Sequence, residues 1–321
     1  MNGRLGVPNS SALTFFDPDQ YQAAIRGGDN LYNLLGRGIF RADLTNIELN
    51  RLSLQRGRET LPRLAASGMS PDRVGIVVWF GNSQLPIVRG VQIRRGELLC
   101  LGRGMQSHHR TFGSNDFVAM TLDASDLSSA AIELTGQELA VTAGKIVRPP
   151  AHLLAWLLSV IDTATRLTQT TPDIFMSPLA AEALEHALLQ PMIMCLLHGE
   201  AREEAVPHGR RATIAKRFEA AVEANFDRPL LIPELCRIIG VSDRVLRALC
   251  QEQLRMSPQR FLALRRLHLA RRALLRSDHH STTVAEVATG HGVWELGRFA
   301  VAYKSVFGES PSATLRRPPT M

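Results

Sequence analysis

Cysteine is scarce and scattered in this chain. Its four residues, Cys100, Cys195, Cys236 and Cys250, form no C-x-x-C pair and have no histidine at zinc-ligand spacing, which argues against a disulfide scaffold or a zinc module. Buried free thiols in a reducing compartment are the expectation, because free Cys packs as a small hydrophobe. The N-terminus, MNGRLGVPNSSALTFF, lacks the apolar core of a signal peptide. The longest apolar stretch, read as His152 to Ile161, falls far short of the roughly 20 residues that span a bilayer. A cytoplasmic location with no membrane partner is therefore expected. Also missing are a P-loop, a G-x-S-x-G elbow, a G-x-G-x-x-G after a strand and an H-E-x-x-H pair. The chain is accordingly expected not to be an enzyme and to need no cofactor.

What is present is an ordinary globular composition. The 321 residues, 45% hydrophobic and 21% charged, should divide into about two domains of roughly 150 residues. The net charge of +7 points to an anionic partner, but the charge is unevenly placed. From His208 onward there are 19 Lys and Arg against 10 Asp and Glu, an excess of nine; the first 207 residues are left two negative. Arginine supplies nearly all of the positive charge. Such asymmetry suggests that one segment faces a polyanion, nucleic acid first and an anionic membrane second, while the other does something else.

The first 147 residues are punctuated by Gly and Pro, with short alternating or β-branched runs between them: Thr45 to Leu54, Arg73 to Phe80, Ile87 to Ile93, Glu97 to Leu101 and Asp116 to Leu122. Five or more such runs read as a mostly antiparallel sandwich or barrel able to hold a small ligand. After Pro149-Pro150 the pattern becomes helical. Ala151 to Gln169 carries Leu154, Leu157, Leu158 and Ile161 at helical spacing, and Ser177-Pro178 starts a second helix toward His198 that Pro191 should interrupt. These helices, within 148–207, form a spacer or a dimer contact. Gly199 to Gly209 is polar and unpatterned and reads as the interdomain linker. The predicted architecture is α+β: a β-rich, cupin-like sensor domain (1–147), a helical spacer (148–207) and an all-α domain (208–321).

The basic third contains helix, tight glycine turn, helix twice. In the first unit, about 233–254, Leu235, Ile238 and Ile239 form the apolar face of a helix ended by Gly240; Ser242 then caps a second helix whose core residues are Leu246, Leu249 and Cys250. The outer face of that second helix carries Arg244, Arg247 and Gln251, side-chain types that pair bidentately with guanine and adenine in the major groove. Taken alone, such a stripe also fits a solvated helix face. The second unit, about 284–307, tilts the balance. Val284, Val287 and Ala288 precede a Gly290-His291-Gly292 break, and a longer helix from about Trp294 follows with Phe299, Tyr303 and Val306 as its core. Pro258 to Arg276 joins the units as one long helix, with Phe261, Leu264, Leu267 and Leu274 inward and Arg265, Arg266, Arg271, Arg272 and Arg276 around the remainder, where they would attract phosphates. Two units at a fixed separation suit two successive turns of duplex DNA.

These residues resemble the DNA-binding domain of the AraC/XylS transcription regulators. The resemblance is carried by Leu235, Cys236, Gly240, Ser242 and Leu246, then Ser257-Pro258, Arg266-Leu267, Ala270 and Leu274-Leu275. It continues through Val284, Val287-Ala288, Gly292, Phe299, Tyr303-Lys304, Phe307-Gly308 and Ser310-Pro311. The stretch VWELGRFAVAYKSVFGESPSATLRR is similar to the ending of the ethanolamine-operon-regulator branch. Val293, Cys236 and Thr314-Leu315 depart from the family's usual residues. The resemblance implies a bacterial, DNA-binding regulator of transcription, an activator rather than a repressor, with RNA polymerase and a second copy of the chain as further partners. It also implies a small-molecule effector or dimerisation function for the N-terminal domain, with unassigned pocket residues. In the second recognition helix it places base contacts at Leu296, Gly297, Arg298 and Val301; Arg298 and Val301 are expected at bases and Lys304 at a phosphate. Gly297 inside a helix fits either close approach to DNA or a tight helix crossing.

A basic helical adaptor for membranes or RNA is one alternative class; another is a cupin-like metalloenzyme with an appended basic helical domain. Its candidate ligands, His108 and His109, are adjacent and should point to opposite faces of a strand, so no metal site is expected. Trp79, Phe80 and Phe117 fit either a ligand pocket or plain core packing.

Overall fold

The computed structural model of the chain describes residues 8–26, 30–36, 38–81, 84–141, 144–202, 210–225 and 228–317. Its strands are β1 (Asn9–Phe15), β2 (Asn30–Leu34), β3 (Ala42–Glu48), β4 (Leu52–Glu59), β5 (Arg63–Gly68), β6 (Arg73–Phe80), β7 (Ile87–Val88), β8 (Val91–Gln92), β9 (Leu98–Leu101), β10 (Gln106–Arg110), β11 (Asn115–Asp123), β12 (Ile146–Arg148) and β13 (Glu200–Ala201). The helices are α1 (Pro18–Ala24), α2 (Ala124–Thr135), α3 (Ala151–Thr170), α4 (Pro178–His198), α5 (Arg210–Glu223), α6 (Ile232–Ile239), α7 (Asp243–Leu254), α8 (Pro258–Arg276), α9 (Val284–Gly290), α10 (Leu296–Phe307) and α11 (Pro311–Leu315). The fold is the expected α+β arrangement of a two-sheet N-terminal part, a helical linker and an all-α C-terminal part.

The strands form two antiparallel sheets, a large one in the order β1-β3-β4-β11-β6-β9-β12-β13 and a small one in the order β2-β5-β10-β7-β8. Strand alternation gives the large sheet two different faces. Val74, Ile76 and Val78 of β6 and Val118, Met120 and Leu122 of β11 join Leu157, Ile161, Leu188 and Met192 in a core against α3 and α4. Val77, Trp79 and Phe117 point the other way, toward the small sheet, while Phe80 lies under the Arg56 guanidinium. The linker helices are thus a covering layer of the sandwich. They are also fastened ionically: Arg56 pairs with Asp162 of α3 at 2.8 Å, and Arg51 with Glu185 of α4 at 2.9 Å.

Several local expectations are corrected. Thr45 to Leu54 is not one strand but the two arms of the β3–β4 hairpin, with Glu48 opposite Ser53. Ile87 to Ile93 is broken by Arg89 and Gly90, both at positive φ (49° and 82°), the backbone a two-residue hairpin turn demands. Helix α4 runs through Pro191 without interruption. Helix α4 is also more apolar than the stretch singled out in α3: by length and composition it could cross a membrane, but half of its most apolar window is buried inside the protein. Cys100, Cys195 and Cys250 are buried, and burial pushes their thiols up, to about 11 for Cys100 and about 12 for the other two. Most of the expected linker lies outside the described residues, as does the boundary at 207–208.

Candidate nucleic-acid interface

Local sequence builds the first helix-turn-helix unit as expected. Gly240 ends α6 in the left-handed conformation (φ 75°), the Ser242 side chain accepts from the Val245 backbone N–H, and α7 follows. Leu235, Ile239, Leu246, Leu249 and Cys250 are buried in one cluster. Ile238 is not part of it: the residue is 44% exposed, so the apolar face of α6 is narrower than the sequence implied. On α7, Arg244, Arg247 and Gln251 are all exposed. Arg247 is held by Asp243 one turn earlier, Nε to Oδ2 at 2.7 Å.

In the second unit, Thr283 and Glu286 cap α9 reciprocally, with the Glu286 N–H donating to Thr283 Oγ1 at 3.2 Å and the Thr283 N–H to Glu286 Oε2 at 2.7 Å. Gly292 at φ 73° turns the chain, and α10 starts at Leu296, two residues later than expected. Phe299, Tyr303 and Val306 are buried, whereas Arg298, Val301 and Lys304 are exposed. Arg298 pairs with Glu295 at 2.9 Å, the same tethering seen at Arg247. A Cβ added to Gly297 meets nothing within 4 Å. Among the described residues, no helix crossing therefore explains this glycine. Sequence reasoning assigned no contact to Trp294, which is 79% exposed in the turn just before this unit's second helix. The available signal was its apolar character just outside the α10 core stripe.

The long helix α8 behaves differently from the expectation. Arg265 and Arg271 do not face solvent; both are buried. Arg265 donates to the carbonyls of Val222, Asn225 and Arg228, tying α8 to the end of α5. Arg271 donates to Asp17 at 2.5 Å, Asp19 at 2.9 Å and Glu309 at 2.7 Å, over the Phe307 ring. Burial works against the charge on Arg271, but its carboxylate neighbours Asp17 and Asp19 raise its pKa. The physical reason is that α8 packs on more than one side, so part of its guanidinium set must be partnered internally.

The small sheet seats the first unit. Leu64 of β5 belongs to the cluster of Phe218, Leu235 and Leu246, and Arg110 of β10 donates to the carbonyl of Leu254, the last residue of α7. His108 and His109 point to opposite sides of β10, as adjacent strand residues must. His109 Nε2 lies 2.6 Å from Arg63 Nη1; His108 is buried, and burial together with Arg265 and Arg89 lowers its pKa to about 4. They do not converge on a metal. Among the described residues, one group of three possible ligands lies within 4.8 Å, the exposed Asp278, His279 and His280.

Residues 235–317 match the family model described as a helix-turn-helix domain. The chain is 30% identical over 162 residues to a probable thc operon regulatory protein of Rhodococcus erythropolis, covering 50% of this chain and 49% of that protein. It is 33% identical over 96 residues to the XylDLEGF operon transcriptional activator 1 of Pseudomonas putida, covering 30% of this chain and 29% of that one. A crystal structure of a probable AraC family transcriptional regulator from Rhodopseudomonas palustris CGA009 aligns at 36% identity over 33% of this chain and 98% of that chain, with a TM-score of 0.29. The chain spans about half the length, or less, of these two curated relatives. Both are named as regulators of operons. The 162-residue match is longer than the basic third and must reach beyond it.

Proposed function

We propose that this chain, which carries a helix-turn-helix module of the AraC/XylS class, is a bacterial transcription regulator that binds duplex DNA sequence-specifically under the control of its N-terminal domain. The observation that carries the reading is the pair of helix-turn-helix units on one connecting helix, each presenting an exposed arginine at its second helix. Arg244, Arg247 and Gln251 read bases in the first unit; Arg298 and Val301 do so in the second, with Lys304 on a phosphate. Open space at the Cβ position of Gly297 among the described residues supports close approach of α10 to DNA. We take 208–321 as the DNA-binding domain, 1–147 as the sensor and 148–207 as the spacer. Activation is favoured over repression, because the matched Pseudomonas putida relatives are named activators. We read the ending from Val293 to Arg317 as similar to that of the ethanolamine-operon branch, a likeness that assigns no effector. A cytoplasmic location and contacts with RNA polymerase and a second copy follow from the same reading.

Genome-wide DNA occupancy of the intact protein, with Arg244→Ala and Arg298→Ala variants, tests this. Discrete sites near promoters, lost in both variants, are the expected result. Uniform binding that both variants retain would overturn direct readout.

A further inference from the structure

A cavity of about 100 Å³ lies between the two sheets. Trp79, Phe117, Val77 and Leu99 of the large sheet and Tyr32 and Val88 of the small one give it apolar, largely aromatic walls. Its size is several times the roughly 10–15 Å³ that one water needs, and of the order of the roughly 150 Å³ dry cavity that accepts benzene.

Two buried polar side chains that line it each keep one atom without a hydrogen-bond partner. Gln55 is 5% exposed and Ser107 6%. The Gln55 Oε1 accepts from the Arg26 N–H, but its Nε2 is unpartnered, as is Ser107 Oγ. Native interiors rarely leave such atoms unpaired, so each invites a ligand group.

The charged side chains among the described lining residues are compensated. Arg63, stacked 4.2 Å over the Tyr32 ring, is neutralised by Glu59 at 2.5 Å, and Glu59 also accepts from Tyr21 Oη at 2.9 Å. His109 Nε2, taking the Arg63 N–H, is held unprotonated; burial, Arg63 and His108 push its pKa well below the ordinary value. Arg26 at the rim is paired with Glu48 at 3.0 Å. Among the described residues that line the cavity, a buried anion would find no unpaired cation.

We propose that this cavity binds a small uncharged single-ring aromatic molecule whose polar group bonds Gln55 and Ser107, and that strand β10 transmits its occupancy to the first helix-turn-helix unit. The second half follows from alternation along β10. Ser107 and His109 face the cavity, while His108 and Arg110 face the helical domain, where Arg110 holds the Leu254 carbonyl. The proposal rests on the reading of the N-terminal domain as a sensor.

The probes are benzamide and benzyl alcohol, with benzoate as the anionic counterpart, added to the full chain. Calorimetry, thermal shift and tryptophan fluorescence read binding, and titration of a promoter fragment found by genome-wide occupancy reads the coupling. Benzamide should bind saturably and raise Tm, and benzoate should bind about tenfold more weakly or not at all. Gln55→Leu, which also takes the acceptor from the Arg26 N–H, and Ser107→Val should each weaken benzamide about tenfold; Ser107→Val should leave the unliganded Tm equal or higher, because it removes an unpaired buried polar atom. A merely structural role would lower Tm instead. Ala119→Leu, at the cavity wall, should abolish binding in a folded protein. Equal or tighter binding of benzoate, no response to either neutral ring, or unchanged affinity in both polar variants would overturn the site. Binding without any change in DNA affinity would overturn the transmission through β10. Neither failure touches DNA binding by the unliganded chain, which the occupancy experiment reads separately.

Discussion

Arg271, in the middle of the helix that joins the two DNA-facing units, donates to Asp17, the N-cap of α1, at 2.5 Å across 254 residues of chain. The same carboxylate caps α1 through its other oxygen, accepting from the Asp19 N–H at 2.9 Å. Replacing Arg271 with Met leaves Asp17 and Glu309 to Arg317 and takes from Asp19 its ion pair, with Arg272 as its remaining cationic neighbour. Loss of one partner of a buried pair costs about 3–5 kcal/mol, most of it the penalty on the abandoned charge. Denaturant unfolding should show that loss for Arg271→Met, and a smaller combined loss for Arg271→Met with Asp17→Asn than the sum of the single changes. Simple additivity would mean that the two groups do not act as a pair.

Arg247 and Arg298 are each tethered to a carboxylate on their own unit. Exposed pairs of this kind are weak. Asp243→Asn should therefore leave the free energy of unfolding within about 0.5 kcal/mol of wild type while raising affinity for duplex DNA severalfold at low salt, a gain that shrinks as salt screens it. Arg247→Ala, by contrast, should cost about 1–3 kcal/mol of specific binding and relax one base position. Electrophoretic titrations on specific and random duplexes at two salt concentrations separate these outcomes.

Gly297→Ala offers a test in which stability and binding move in opposite directions. With open space around the missing Cβ, the substitution should stabilise α10 by up to about 1 kcal/mol. If α10 lies against DNA at this residue, operator affinity falls in the same variant. Raised Tm with unchanged affinity would remove Gly297 from the interface.

Buried histidines set the acid side of the stability profile. Burial and the Arg265 and Arg89 charges lower His108 to about 4; burial and Arg272 lower His268 to about 3, against the Leu34 carbonyl contact that raises it. The unfolded chain takes up these protons near pH 6.5, the folded chain only below about 4 and about 3, so protonation favours unfolding between those values. Stability from these sites is full above pH 7 and declines as pH falls through 6 and 5, by up to ~1.4 kcal/mol per pH unit for each histidine. Unfolding curves at pH 7, 6 and 5 should show this slope, and His268→Leu should reduce it by about one proton.

The helices of the basic third were legible because caps, glycine turns and periodic apolar residues mark them locally. Ser242, Gly240 and Ser257 behave as their residue types imply. Strands β1, β2 and β5 were not legible: NSSALTF, NLYNL and RLAASG carry little alternation and are fixed by their partners. Burial of Arg265 and Arg271 was hidden for a related reason. A charged side chain on a helix reads as exposed unless its partner is known, and the partners here lie on α1, α5 and the α10–α11 turn. The exposed polar stripe of α7 needed only periodicity, whereas Gln55 and Ser107 meet through sheet packing that no spacing encodes.

Mixed packing between the two halves limits how the protein can be cut. Tyr32 and Leu34 share one apolar cluster with Leu267 and Leu274, and Leu64 shares another with Phe218 and Leu246. A truncated fragment starting near residue 208 would keep both units yet bare these seams and leave the Arg271 guanidinium without Asp17 and Asp19. Affinities measured on such an excised piece would describe a sticky, partly unsatisfied surface, and would overstate the grip of the intact protein on DNA of any sequence.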